Sequence, residues 1–470
     1  MESDTQLNNG DKLMRVLAFT LVFSVMNASM FNVVMPVISE QFSITPSQVS
    51  WLLTGYMIVY AVGSVTYGKL ADKYRLKDLL TFGLIFFALG SIIGLTASEY
   101  WMIVLGRILQ ASGAAVIPAT AMIVPVRYFA PEKRGRALGM TAAGLALGTA
   151  IAPIVSGLVT GFASWRLLFL LSVMPLLTLP YFRKYLNDDR GTAQKIDFLG
   201  GGLLGGGVAL LLLSISLGNG LLTIAGLVLL ILFVIRIRTA EEPFVQPKLF
   251  GNKKYSLGLF LTFLATAMSF GMPFLTPQFL SGLNGLSPAV IGLIMFPAAI
   301  TSALMGRKGG RLADEKGNSF LIYTSVSLSF FCFVLLSIFV GASPYLILFM
   351  LIFGNIGQIF MQIAMSNTIS ATLAKEQIGV GMGLMSLLSF ISGAMTTSVI
   401  GKLLDAGQTS IQFNPFAMHE EALIYSNIFF ALAFLAVMIA CFYFISFSKN
   451  SRKSERQVEA AERKTSSSTV

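Results

Sequence analysis

Gly68-Lys69-Leu70-Ala71-Asp72-Lys73-Tyr74-Arg75-Leu76-Lys77 and Gly310-Arg311-Leu312-Ala313-Asp314-Glu315-Lys316-Gly317 share the pattern G-x-L-A-D. Each copy separates two long apolar runs, 48–67 from 79–98 and 288–306 from 319–340. One such pentapeptide arises by chance, but two in equivalent connections mark an internal repeat. Working outward from them, apolar runs recur at 16–37, 101–124, 137–160, 167–182, 198–217, 220–236, 255–279, 344–370, 380–401 and 423–446. A membrane-crossing helix needs about 20 mostly apolar residues, so the chain is read as an all-α integral membrane protein with fourteen spans. The copies lie eight spans apart, whereas two six-helix halves in tandem would place them six apart. Two helices are therefore inserted, and the hairpin 198–217 and 220–236, turning at Gly218-Asn219-Gly220, is the candidate. The expected organisation is a tail at 1–15, a six-helix bundle at 16–184, an inserted pair at 197–236, a second bundle at 255–447 and a basic tail at 448–470.

Composition agrees. Of 470 residues, 55% are hydrophobic and 12% charged, far more apolar than a soluble domain. Lys and Arg are retained on the cytoplasmic side of a membrane. Of the 33 here, all but Arg107, Arg166 and Lys402 fall on the N-terminal tail, on every second connection, or on the C-terminal tail. A missing or invented span would scramble that partition, so both termini are expected in the cytoplasm. The net charge of +11 follows from the same asymmetry, and no nucleic-acid partner is implied. The C-terminal tail is read as a solvated segment, with contact to anionic headgroups as the alternative. The run from Val16 to Pro36 exceeds the apolar core of a signal peptide and is followed by further spans, so it reads as the first span. Cys332 and Cys441 both lie in apolar runs and read as packing residues.

The loop pattern resembles the major facilitator superfamily, specifically its 14-helix drug:proton antiporter branch with the Gram-positive tetracycline and multidrug efflux proteins. Arg75 stands where that family has a second Gly. Arg107-Ile108-Leu109-Gln110 followed by Gly113-Ala114-Ala115 is similar to the family's R-x-x-Q-G-x-G-A-A, with Ala111 for the first Gly. Gly139, Gly148, Ala152, Pro153, Ser156 and Gly157 resemble its antiporter motif, G-x8-G-x3-G-P-x2-G-G. Pro131 to Gly135, including Arg134, Trp165-Arg166, and Phe31 to Pro36 fit the same branch. The resemblance covers essentially the whole chain. It implies a major facilitator fold with 6 + 2 + 6 helices, in which two halves rock about a central cavity. It further implies export of amphiphilic small molecules, antibiotics among them, across a bacterial plasma membrane by a monomer without cofactor or metal. Gly68, Asp72, Arg134 and Asp314 become cytoplasmic gate residues; a plain solvated charge is the alternative for Asp72.

The residues themselves narrow the site. Gly144, Gly148, Ala152 and Ser156 recur at intervals of four, a stripe on which another helix can pack closely, and Pro153 removes a backbone hydrogen bond and favours a kink. Arg107 is the one charge inside a span, roughly 9 Å from the end of its helix at 1.5 Å per residue. A mid-membrane charge costs about 2.5–3.5 kcal/mol on insertion scales, so Arg107 either faces the cavity or snorkels to the surface. Asn355, Gln358, Gln362 and Ser366 form a polar stripe that lines either the cavity or a helix contact. Asn27, Asn32, Tyr56, Tyr60, Gln110 and Gln278 are further cavity candidates.

All 22 Asp and Glu residues lie outside the spans or at their margins. Proton-driven exporters generally hold the coupling proton on a membrane carboxylate, but the branch's first-span acid is Asn27 here and the tetracycline exporters' fifth-span Glu is Thr149. Proton coupling is thus implied by the resemblance alone; Glu40, Asp72 and Asp405 are the nearest acids. With Arg107 the lone buried charge, an anionic, zwitterionic or neutral substrate fits better than a cation. A membrane-embedded enzyme is disfavoured, since the single His, His419, lies in a loop and no metal spacing or nucleophile motif is present. A channel would need charged rings or a filter sequence, and none is apparent.

Overall fold

The chain is seen here in a computed structural model. It describes residues 2–71, 73–129, 131–186, 197–374, 377–407 and 409–448, without the side chains of 2–11, 122, 126–128 and 131–136. Asp72, the tail beyond 448 and the Arg134 side chain fall outside the described set. Fourteen helices among the described residues are long and apolar enough to cross a membrane. They are α1 (Lys12–Phe42), α2 (Pro46–Ala71), α3 (Leu76–Leu95), α4 (Tyr100–Pro125), α5 (Ala137–Phe162), α6 (Leu167–Tyr185), α7 (Phe198–Leu217), α8 (Gly220–Thr239), α9 (Lys253–Gly282), α10 (Pro288–Lys316), α11 (Asn318–Phe339), α12 (Pro344–Ser370), α13 (Ile378–Asp405) and α14 (Glu420–Phe447). The helix containing α1 begins at Glu2, so the segment expected as a tail is helical, while the span itself begins at Lys12.

Packing repeats with an offset of eight spans. Helix α1 lies on α5 as α9 lies on α13, α2 on α4 as α10 on α12, and α3 on α4 as α11 on α12. The halves meet through two related pairs, α2 with α13 and α5 with α10. Helix α5 makes both kinds of contact with two stripes of four-residue spacing. Gly144 lies against Ala18 and Leu21 of α1, a Cβ on Gly148 would meet the Val22 carbonyl oxygen at 2.6 Å, and Ser156 donates to the Met30 carbonyl. The neighbouring stripe of Pro153, Gly157 and Gly161 faces Pro288, Ala289 and Gly292 of α10. Only side chains this small allow two backbones so close.

Two spans are broken beside prolines, which the apolar pattern did not reveal. In α6 a helix at Leu167–Leu171 gives way to a 3-10 turn at Met174–Thr178 and a helix at Leu179–Tyr185. Pro175 and Pro180 have no N–H to continue the ladder and each sits in the first turn of the piece it opens. Hydroxyls bond the backbone around the break: Ser172 donates to the Leu168 carbonyl and Thr178 to that of Pro175. Helix α4 is interrupted at Ala115, between Tyr100–Ala114 and Val116–Tyr128. There the ring of Pro118 conflicts with the carbonyl four residues back.

The expected inserted pair is a hairpin. Gly218 closes α7 with φ +66°, the left-handed region that glycine adopts without cost, and the Asn219 side chain accepts from the Leu221 N–H to start α8. Helix α7 packs on both α2 and α13, so it borders both halves, while α8 leans on α7 and exposes Leu221, Ile224, Ile231 and Ile235. Trp51 of α2 donates to the Ser216 hydroxyl at 3.2 Å and Lys402 of α13 to the Ser216 carbonyl at 3.1 Å.

At the other end of the hairpin, Asp197 caps α7. It accepts from the Gly200 N–H at 3.0 Å, the Arg236 Nε at 3.0 Å and the Phe244 N–H at 3.2 Å. Burial alone would push this carboxyl up, but the three donors together hold it below its ordinary value. A lowered folded value means the stabilisation is present at neutral pH and is lost as pH falls through it, below about pH 4. Asp197→Ala is therefore expected to lower stability by about 1–3 kcal/mol at pH 7. Thermal unfolding in detergent should show the gap between variant and parent closing in acid; a gap independent of pH would contradict this account.

Candidate functional site

Arg107 and Gln110 lie three residues apart on one face of α4 and are both fully buried. The Arg107 Nε donates to the Leu52 carbonyl of α2 at 3.2 Å. One Nη donates to the Asn27 Oδ1 of α1 at 2.7 Å and to the Gln110 Oε1 at 3.0 Å. The guanidinium carbon stands 4.1 Å from the Tyr56 ring centre and 4.4 Å from that of Phe31. Among the described residues the hydrogen bonds of Arg107 go only to neutral acceptors. Its second nitrogen, Nη2, is buried with no hydrogen-bond partner, and so is the Tyr56 hydroxyl. A desolvated cation between two rings gains about 2 kcal/mol or more, and each hydrogen bond to a charged group about 1.5–3 kcal/mol. Against this stands a desolvation penalty of several kcal/mol per buried ion that no opposite charge offsets.

The cluster spans most of the first half. Asn27 donates to the Ser172 hydroxyl at the break in α6, and Gln110 donates to the Ser91 hydroxyl of α3 at 2.8 Å. Sequence reading expected Arg107, Gln110 and Asn27 to face the central cavity, Arg107 paired or hydrated there, or Arg107 to snorkel to the surface. Instead all three are enclosed within the N-terminal bundle, because backbone and amide oxygens of neighbouring helices supply the acceptors that water would otherwise provide. Asn32 is half-buried and donates to the Ser29 carbonyl of its own helix.

A chain of rings leads from this cluster to the boundary between halves. Tyr56 stacks on Tyr60 with centres 5.7 Å apart, and Tyr60 meets Phe390 of α13 edge-on at 4.7 Å. Further along the same seam Thr54 and Thr397 hydroxyls stand 3.1 Å apart. At its far end Asp405 accepts from the Ser47 backbone N–H at 2.9 Å and from the Ser47 hydroxyl. These links, and the α5–α10 contacts at Gly157 and Gly161, lie toward the membrane face carrying the α1–α2 connection. Toward the opposite face the same helices turn to their own halves: Gly148 packs on Val22 and Gly309 on Phe360.

On α12, Gly354 and Gly357 face Cys332 and Ser329 of α11, and the polar stripe lies on another side. Asn355 and Gln358 are half-buried and Gln362 is exposed. Asn355 donates to the Leu351 carbonyl, and the Gln358 Nε2 has no partner among the described residues. The Gln278 Nε2 of α9 is likewise buried and unpartnered.

The expected gate loops need correction. Gly68 to Ala71 continue α2, and Gly310 to Lys316 are the last turns of α10, so the described parts of the repeated pattern are helical. Among the described residues no other helix packs against Gly68 or Gly310; the turn residue is Gly317, at φ +83°. The first copy stays helical as far as Ala71 and the second as far as Lys316, where Gly317 ends it. Asp314 is exposed. Lys69 donates to the Pro243 carbonyl at 2.8 Å, tying the end of α2 to the segment after α8. In the antiporter motif Gly148, Pro153 and Gly157 sit in close helix contacts, whereas Gly139 is exposed and has no such neighbour.

Sequence reasoning missed Ser91, Ser172, Thr54, Thr397, Ser47 and Phe390. A hydroxyl in an apolar run can always bond its own helix, as Ser91 also does with the Phe87 carbonyl, so its outside partner leaves no pattern. Asp405 alone carried a signal, as an acid at a span margin.

Comparison with known proteins adds a family. Residues 17–397 match the family described as Major Facilitator Superfamily. The chain is 24% identical over 442 residues to the riboflavin transporter RibZ of Clostridioides difficile, covering 91% of this chain and 96% of the relative. It is 27% identical over 446 residues to the lincomycin resistance protein LmrB of Listeria innocua, covering 89% and 93%. Its fold is similar to a crystal structure of a bacterial homologue of the human lysosomal transporter Spinster in an inward-facing, unoccupied conformation. The TM-score is 0.67 at 14% identity, covering 93% of this chain and 97% of that one.

Proposed function

The chain belongs to the major facilitator superfamily and is a multi-pass secondary transporter rather than an enzyme, and on that premise we propose that it exports amphiphilic small molecules, antibiotics among them, by alternating access. The observation that carries this reading is the seam. Two helix pairs related by the eight-span repeat, α2 with α13 and α5 with α10, join the halves toward one membrane face, while toward the other face glycines of the same helices pack within their own half. Rigid halves hinged in this way expose a central site to either side in turn. With the basic connections on the cytoplasmic side, the closed face is external and the conformation is inward-open, ready to load from the cell. The name of the lincomycin resistance relative supports efflux of a drug.

A second reading, export of a metabolite, is favoured by the riboflavin transporter, which aligns over nearly its whole length. Coupling to protons rests on family resemblance; the Arg107 cluster contributes no carboxylate among the described residues to carry one. Growth of overexpressing and deleted cells against a panel of toxic compounds separates drug from metabolite export. Uptake of a labelled hit into inverted vesicles, with and without an imposed pH gradient, tests the coupling. Accumulation that ignores the gradient would reject proton antiport, and no accumulation of any hit would reject export.

A further inference from the structure

The unneutralised charge on Arg107 lies at the inner end of a run of rings that reaches the boundary between the halves. From Arg107 the path goes to the Tyr56 ring at 4.1 Å, to Tyr60 at 5.7 Å, and across the seam to Phe390 at 4.7 Å. The geometry points to a binding site for an aromatic organic anion, whose acidic group is the missing counter-charge of Arg107 and whose ring takes its place among Tyr56, Tyr60 and Phe390. This rests on the export reading above and names the substrate class.

Three observations carry it. First, Arg107 is fully buried and among the described residues its hydrogen bonds reach only Leu52, Asn27 and Gln110, none of which bears a negative charge. A buried cation without a counter-ion is costly, and an anion that enters offsets part of that cost against its own desolvation. Second, two donors on side chains that touch each other have no partner among the described residues, the Arg107 Nη2 and the Tyr56 hydroxyl. An anion accepts from both, whereas an ammonium cation can only donate to the Tyr56 oxygen and leaves the Arg107 Nη2 unmet, and an apolar ligand satisfies neither. Third, Tyr60 is half-buried and its contact with Phe390 joins α2 to α13. Opening the seam must break that contact, so the rings covering the arginine loosen in the step that exposes the site. Entry of the anion and parting of the halves are thereby linked.

The test uses purified full-length protein in lipid nanodiscs and three probes sharing one ring system: naphthoate, naphthamide and naphthylmethylammonium. Calorimetry should find naphthoate bound about tenfold or more tightly than naphthamide, the value of one hydrogen bond to a charged group, and the ammonium more weakly still. Arg107→Gln should erase the preference for naphthoate, and Arg107→Lys should keep part of it. Equal affinity for naphthoate and naphthamide on the unaltered protein would overturn the proposal, as would an unchanged preference in Arg107→Gln. The comparison of probes on the unaltered protein holds even if the variants fail to fold. Flux into inverted vesicles separates the two readings. Preferential binding of naphthoate without flux leaves the anion site standing and removes export; flux with no preference between acid and amide removes the site alone.

Discussion

Oxidation of a Thr54→Cys/Thr397→Cys double variant, made in a background lacking Cys332 and Cys441, is expected to arrest transport, with activity returning on reduction. The two native hydroxyls stand 3.1 Å apart across the α2–α13 seam, and a pair of thiols in their places must close by only about 1 Å to reach the S–S distance of about 2.05 Å. A covalent link there prevents the halves from parting on the face carrying the α1–α2 connection, and one of the two states needed for turnover disappears. The expected loss is on the order of 100-fold or more, since a single open side supports no cycle. A matched control lies within one half: Thr266 donates to Ser389 at 3.4 Å between α9 and α13. A disulfide between cysteines at these positions should leave flux within about twofold of the reduced protein, because helices of one rigid bundle stay together. Full activity of the oxidised Thr54/Thr397 variant, with the disulfide shown by mass spectrometry, would mean that the seam never opens.

Asn27→Asp should reduce transport of an anionic substrate by about 10- to 100-fold while leaving the protein as stable as before or more so. The side-chain oxygen of Asn27 already accepts from Arg107 at 2.7 Å, so a carboxylate fits the same space without repacking. It supplies the charge that Arg107 lacks, and the pair then satisfies itself. An arriving anion would have to displace an internal one, losing about 1.5–3 kcal/mol of charged hydrogen bonding. The contact to Ser172 through the Asn27 Nδ2 is the one bond the substitution removes, and the hydroxyl can rotate to donate to the new oxygen. Thermal unfolding alongside the flux assay distinguishes this from simple damage. Unchanged flux of the anion in Asn27→Asp would show that the charge on Arg107 is spectator to transport; a fall in both stability and flux would show misfolding instead.

Part of this architecture was legible in the residues. Fourteen spans followed from apolar runs of membrane length, because in lipid every backbone group must be satisfied inside its own helix and the run cannot hide. The inserted pair followed from counting spans between the two G-x-L-A-D copies. The stripe of small residues on α5 was visible because spacing by four places residues on one helix face, although its partner, α1, was not. Arg107 stood out because a charge is rare in an apolar run. Other features were misread from local pattern. The two repeated segments were expected as connections between spans, yet α2 runs on through Gly68 to Ala71 and α10 through Gly310 to Lys316. The prolines of α6, by contrast, broke a span that hydropathy alone presents as continuous.

What sequence determined, then, is which segments enter the membrane, how many there are, and which rare polar residues go with them; these are set by each segment's own transfer from water to lipid. Only the tertiary structure decided that Arg107 is enclosed by Asn27, Leu52 and Gln110, that Tyr60 meets Phe390, and that Ser47 closes on Asp405. Those are contacts between helices distant in the chain, whose faces are chosen by packing against one another, and no periodicity within a single helix encodes its neighbour.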